Sequence, residues 1–179
     1  PLLAVGITPI LGKYVDTKGK AASMLMIGSI LLIVCHLTFA FILPMFKGND
    51  MGVIIAYLTI LILGSSFSLV PASLWPSVPK LVDQKVIGSA YALIFWIQNI
   101  GLWLFPTLIG KVLNNTNPEV AEKLDAGLIT PQQAAISYDY TYPLIMLACL
   151  GVAAFVIGII LKRVDRTKGL GLELPNIKS

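Results

Sequence analysis

Charge is scarce in this sequence. Asp, Glu, Lys and Arg make up 12% of its 179 residues, about half the roughly 25% of an ordinary soluble domain. Metal-binding and nucleophilic side chains are scarcer, with one histidine and two cysteines. His36 has no carboxylate at similar depth, so packing or a local bond competes with proton relay there. Cys35 and Cys149 fall inside apolar stretches and read as packed, reduced thiols. Paired metal ligands and a phosphate-cradling glycine loop are absent, and Lys168-Gly169-Leu170-Gly171 is too short to be one. These absences point away from an enzyme and imply no cofactor and no metal. The chain also lacks an initiator Met and the basic start of a signal peptide. Residues 1–11 therefore read as the end of a truncated transmembrane helix, and the chain as the C-terminal part of a longer protein.

Long uncharged runs are what the sequence has instead. No Asp, Glu, Lys or Arg occurs in residues 21–46, 51–79, 86–110 or 140–161, and mean hydropathy is +0.84. Each run exceeds the ~20 residues needed to cross a ~30 Å hydrocarbon layer as a helix. Backbone groups in lipid must pair within their own segment, so α-helices are expected. The reading is all-α, a polytopic transmembrane bundle with spans over 21–46, 51–79, 86–110 and 137–161. Residues 12–20 form a loop, 111–136 an outer loop with short helices, and 162–179 a basic tail.

The loops alternate in charge. One side carries Lys13, Lys18, Lys20, Lys80, Lys85, Lys162, Arg163, Arg166, Lys168 and Lys178; the other carries Lys47, Lys111 and Lys123. The positive-inside rule places the first side, with the C-terminus, in the cytoplasm, where a basic tail rests on anionic headgroups. The net charge of +4 is explained by these helix ends and needs no nucleic acid. In the outer loop, Asn117-Pro118 reads as a helix cap and first position, Gly127 as a stop, and Thr130–Gln133 as a capping box.

Polar side chains inside the spans are the candidates for function. Gln98 and Asn99 lie near the midpoint of the third span, where an amide facing lipid is costly. They serve either an interhelical hydrogen bond or a solute path, and Ser65 and Ser66 share their depth. Tyr91, Phe95 and Gln98 have helical spacing, which sets an aromatic wall beside the amide. Gly88, Ala92 and Gly101 mark an expected close-packing surface. Pro71, Pro76 and Pro79 predict either a kinked gate hinge or a helix ending near Leu74 with Trp75 at the interface.

Gly12, Asp16, Gly19 and Lys20 match the form Gly-x-x-x-Asp-x-x-Gly-Arg/Lys, which resembles the signature loop of the major facilitator superfamily. Thr17 departs from it, since Arg or Lys is usual there. The resemblance implies a twelve-helix secondary transporter whose helices eight to twelve are represented here. It implies gating for Gly12, Asp16, Gly19 and Lys20, with Asp16 facing the start of helix eleven; the proline hinge reading adds Pro76 to the gate. The resemblance also implies that helices ten and eleven flank the cavity, while nine and twelve support them. Ser73–Val78, Gly88–Tyr91 and Gln98–Gly101 are similar to the branch containing a lysosomal dipeptide uniporter. That similarity implies a dipeptide or amino-acid-like zwitterion as solute; the expected contacts, read from depth and spacing in the spans, are Ser65, Ser66, Gln98 and Asn99, with Tyr91 beside them. The implied partners are this solute, the lipid bilayer and the missing N-terminal half, with room for an accessory membrane subunit. The rival reading is a non-transporting receptor or scaffold that keeps the fold.

Overall fold

A computed structural model describes residues 2–176. Pro1, where the expected truncated helix begins, and residues 177–179, with Lys178 of the expected basic tail, lie outside the described residues. The chain is all-α. Its helices are α1 (Leu2–Lys18), α2 (Ala21–Leu37), α3 (Asp50–Leu81), α4 (Ile87–Thr116), α5 (Pro118–Asp125), α6 (Pro131–Ser137) and α7 (Thr141–Lys168). A π turn over Thr38–Ile42 and a 3-10 turn over Leu43–Phe46 extend α2 toward the bend before α3. Among the described residues, Ala21–Phe46, Asp50–Leu81, Gln84–Thr116 and Thr141–Lys168 are long and apolar enough to cross a membrane.

Small residues set the packing. α2 lies between α3 and α7, and α1 lies against α3. A Cβ on Gly151 would sit 2.7 Å from Cγ1 of Ile33, and one on Gly158 would sit 2.8 Å from Cγ of Met26. These glycines let α7 approach α2 closely, the usual means of helix association where lipid is as apolar as the side chains. On the other flank, Ser66 Oγ donates to the Gly28 carbonyl at 2.7 Å, and Cys35 Sγ faces the Thr59 carbonyl at 3.5 Å. Buried His36 is bonded locally, with Nδ1 2.7 Å from the Leu32 carbonyl.

α4 stands apart. It touches α3 and α7 only along short stretches and contains no buried residue. The close-packing surface expected at Gly88, Ala92 and Gly101 is therefore absent among the described residues. A Cβ on Gly88 would meet nothing within 4 Å, and one on Gly101 would meet only Phe105 of the same helix. The two cysteines also divide, since Cys35 is buried and Cys149 is exposed.

Two local expectations are corrected. Residues 12–18 are helical rather than a loop, because α1 runs on to Lys18 with Val15 buried beneath it. Gly12 keeps an ordinary helical backbone; only Gly19 (φ 75°) and Lys20 (φ 66°) break the chain. The proline-rich stretch does not end the helix near Leu74. α3 continues through Pro71, Pro76 and Pro79 to Leu81. Proline has no N–H, so Pro79 leaves the carbonyl four residues back, on Trp75, without its helical donor. The Tyr91 hydroxyl of α4 donates to that carbonyl at 3.2 Å.

In the loop between α4 and α7 the capping box of Thr130 and Gln133 forms, and Gly127 takes a positive φ after α5. Asn117 does not cap α5 with its side chain. Its amide is committed to Asp139 instead, donating to the Asp139 carbonyl at 3.0 Å and accepting from the Asp139 N–H at 2.8 Å.

Candidate functional site

The residues around Gly19 meet the end of the chain. After α7, Gly169 and Gly171 take positive φ values and turn residues 169–176 back across the helix ends. Leu172 is 0% exposed. The N-terminus of α2, whose first N–H groups have no partner within the helix, is capped by this strap. Lys20 N–H donates to the Glu173 carbonyl at 3.1 Å and Ala21 N–H to the Leu172 carbonyl at 3.2 Å. Ser23 N–H donates to Glu173 Oε1 at 2.9 Å, and Ser23 Oγ donates to Oε2 at 2.7 Å. A carboxylate at a helix N-terminus also faces the positive end of the helix dipole.

Each neighbouring helix holds the strap. Asn176 donates through its backbone N–H to the Asp16 carbonyl at 2.8 Å and through Nδ2 to Asp16 Oδ1 at 2.7 Å. Lys80, at the end of α3, donates to the carbonyls of Gly171 at 2.8 Å and Leu174 at 2.6 Å. Asp165 of α7 accepts from Leu172 N–H at 2.9 Å. Lys162 donates to Ser23 Oγ at 2.6 Å and lies 3.8 Å from Glu173 Oε2.

The strap explains Gly19. A Cβ there would fall on the Glu173 carbonyl oxygen and 2.6 Å from the Leu174 carbonyl carbon. Lys20 takes part through its backbone, with its side chain exposed. Asp16 meets Asn176 of the strap, where the resemblance implied the start of helix eleven. The expected basic tail is thus corrected: its cations up to Lys168 belong to α7, and an acid, Glu173, anchors the segment that follows.

The expected solute contacts divide. Ser66 is 1% exposed and commits its hydroxyl to Gly28 of α2, so it serves helix packing and is closed off. Ser65 is half-buried and donates to Leu61 of its own helix at 2.9 Å. Tyr91 and Phe95 of α4 join Trp75 of α3, with ring centroids 5.7 Å and 5.1 Å from the indole. One turn further along α4 come Gln98 and Asn99, both exposed. Asn99 Nδ2 donates to the Phe95 carbonyl at 2.8 Å. Gln98 makes no side-chain hydrogen bond among the described residues.

Sequence spacing gave no warning of Glu173, Ser23, Asn176 or Lys162, because the bonds join residues 139 to 160 apart. One signal was present: Glu173 is the only acid after Asp165 in an otherwise basic stretch. Trp75 was visible only as an interface anchor. A cavity of about 760 Å³ opens at the opposite end of the bundle, between the turn at Phe46–Asn49 and the segment Ile136–Thr141. None of the expected solute contacts lines it. At its edge, the hydroxyl and then the N–H of Thr141 donate to Asp139 and hold its carboxyl below the usual value.

Among known proteins, the chain is similar to the lysosomal dipeptide transporter MFSD1 of Danio rerio, with 28% identity over 113 residues covering 63% of this chain and 22% of that protein. The transporters of the same name from Mus musculus and Homo sapiens are 28% and 27% identical over 114 residues, each covering 64% of the chain and 22% of the relative. The chain thus spans about a fifth of the length of these relatives. No family model matches it, and no solved structure matches it. The relatives and the apolar helices together support a multi-pass membrane protein.

Proposed function

We propose that this chain is part of a secondary transporter that moves a small organic solute, a dipeptide or amino-acid-like zwitterion, by alternating access. Gln98 carries the reading. It is an amide near the midpoint of an uncharged 25-residue run, exposed and without a hydrogen-bond partner among the described residues. Such a group against lipid costs roughly 4–8 kcal/mol on a hydrocarbon-transfer basis, so it belongs against protein or a water-filled path. The Trp75, Tyr91 and Phe95 rings form an apolar wall beside that path, and Asn99 and Ser65 add polar edges. Similarity to transporters named for dipeptides favours a zwitterion as the solute.

The strap over residues 169–176 belongs to the gate at the basic end, which faces the cytoplasm in this reading. Asp16 is held there by Asn176, and Lys20 by Glu173. Rocking of the two halves either carries these bonds as a rigid unit or releases them at Asn176 and Lys80. Uptake of labelled dipeptides and amino acids into vesicles containing the full-length protein tests the function. The expected result is saturable flux, with Gln98→Ala raising KM about tenfold at unchanged protein level, the equivalent of one lost hydrogen bond. Absence of flux with every such solute overturns it.

A further inference from the structure

Near the strap, a cleft of about 150 Å³ lies between α2 and α7, lined by Met26, Ile159, Lys162, Arg163 and Arg166. The four α7 residues follow helical spacing, so they form one face beside Met26. Ile159 lies within the last uncharged run, and Lys162 is the first charge after it. From Ile159 to Arg166 the helix rises about 10 Å. The cleft therefore passes from the hydrocarbon edge into the headgroup layer, apolar at one end and cationic at the other.

The acids nearby are turned elsewhere. Asp165, between the two arginines in sequence, is buried and accepts from Leu172 N–H. Glu173 is bonded to Ser23, and the only ion pair among the described residues joins it to Lys162. Arg163 and Arg166 are exposed and have no carboxylate within 4.0 Å among the described residues. Two guanidinium groups without a counter-ion among the described residues, above a Met and an Ile, match a phosphate ester carrying a hydrocarbon tail. Arginine suits that role because its planar fork binds two phosphate oxygens at once. The volume is below the roughly 300 Å³ of an ordinary solute pocket, so the cleft is too small to be one.

We propose that this cleft binds the phosphate of an anionic phospholipid in the leaflet at the basic end. Arg163 and Arg166 hold the phosphate, and an acyl chain lies along Met26 and Ile159. Lys162 links the cleft to the strap, because the same ammonium serves Ser23 and Glu173.

The test is native mass spectrometry of the full-length protein in detergent, titrated with dioctanoyl phosphatidylglycerol, dioctanoyl phosphatidylcholine or inorganic phosphate. The expected result is retention of phosphatidylglycerol over phosphatidylcholine. Arg163→Gln/Arg166→Gln should weaken that retention at least about tenfold, and Arg163→Lys/Arg166→Lys should weaken it less. Lys85→Gln/Lys168→Gln, which removes the same charge outside the cleft, should leave it intact. Equal retention of both lipids, an equal loss in the Lys85/Lys168 control, or retention that inorganic phosphate abolishes at concentrations equal to the lipid's overturns the proposal. Arg163→Gln alone supplies the same comparison where the double variant does not fold.

Discussion

Glu173 grips Ser23 with both carboxylate oxygens, Oε1 on the backbone N–H and Oε2 on the hydroxyl, at 2.9 and 2.7 Å. The bond joins the end of the chain to the first turn of α2, 150 residues away. Glu173→Ala leaves the Ser23 N–H without a partner and removes the anion from the helix end. The expected loss is about 1–2 kcal/mol, read as a lower thermal unfolding midpoint in detergent. Glu173→Gln keeps one acceptor and loses less. Cleavage within residues 169–176 by a soluble protease should quicken in the Ala variant.

Tyr91 bonds to a carbonyl that Pro79 leaves without its helical donor. Tyr91→Phe should therefore cost about 1 kcal/mol while Pro79 is present. Pro79→Ala returns the N–H to Trp75, and in that background Tyr91→Phe should cost nearly nothing. A double-mutant cycle on unfolding free energy measures the coupling. Equal cost in both backgrounds assigns the tyrosine to ring packing on Trp75 instead.

At the opposite end, the Asp139 carboxyl is held below its ordinary value by the Thr141 hydroxyl and then the Thr141 N–H. A group with a depressed folded pKa adds stability above its unfolded pKa, ~3.9 for Asp, and loses it as pH falls through the lower folded value. The Thr141 bonds to the carboxylate should therefore loosen only below about pH 4, while the Asn117 bonds, made to the Asp139 backbone, should persist. Hydrogen exchange at Thr141 across pH should show this after correction for intrinsic rates. Asp139→Asn should remove the dependence.

Much of the fold was legible because lipid leaves few alternatives. A run of 25 uncharged residues such as 86–110 has to be helical, whichever residues it contains. Contacts between distant residues were not legible. The pairing of Asn176 with Asp16 depends on how the chain folds back after Gly169, and no local period encodes that. Pro71, Pro76 and Pro79 misled about where the helix ends, because propensity counts the missing donor; Tyr91, on another helix, meets the carbonyl that Pro79 frees. Gly12 misled for the opposite reason: glycine permits a turn, but buried Val15 keeps α1 helical past it. Among the solute candidates, depth along a helix could be read from sequence while rotation about its axis could not. Ser65 and Ser66 are adjacent, yet Ser66 points into α2 and Ser65 bonds within α3.

The solute path at Gln98 is best tested by thiol accessibility. In the full-length protein with Cys149→Ser and any other exposed cysteines removed, Gln98→Cys should react with a membrane-impermeant, water-borne maleimide. Saturating transported solute should slow that reaction several-fold, and Ser66→Cys should stay unreactive because its position is closed against Gly28. Labelling of Gln98→Cys only by a lipid-soluble reagent, with no protection by solute, would place the side chain against lipid or protein and contradict the account.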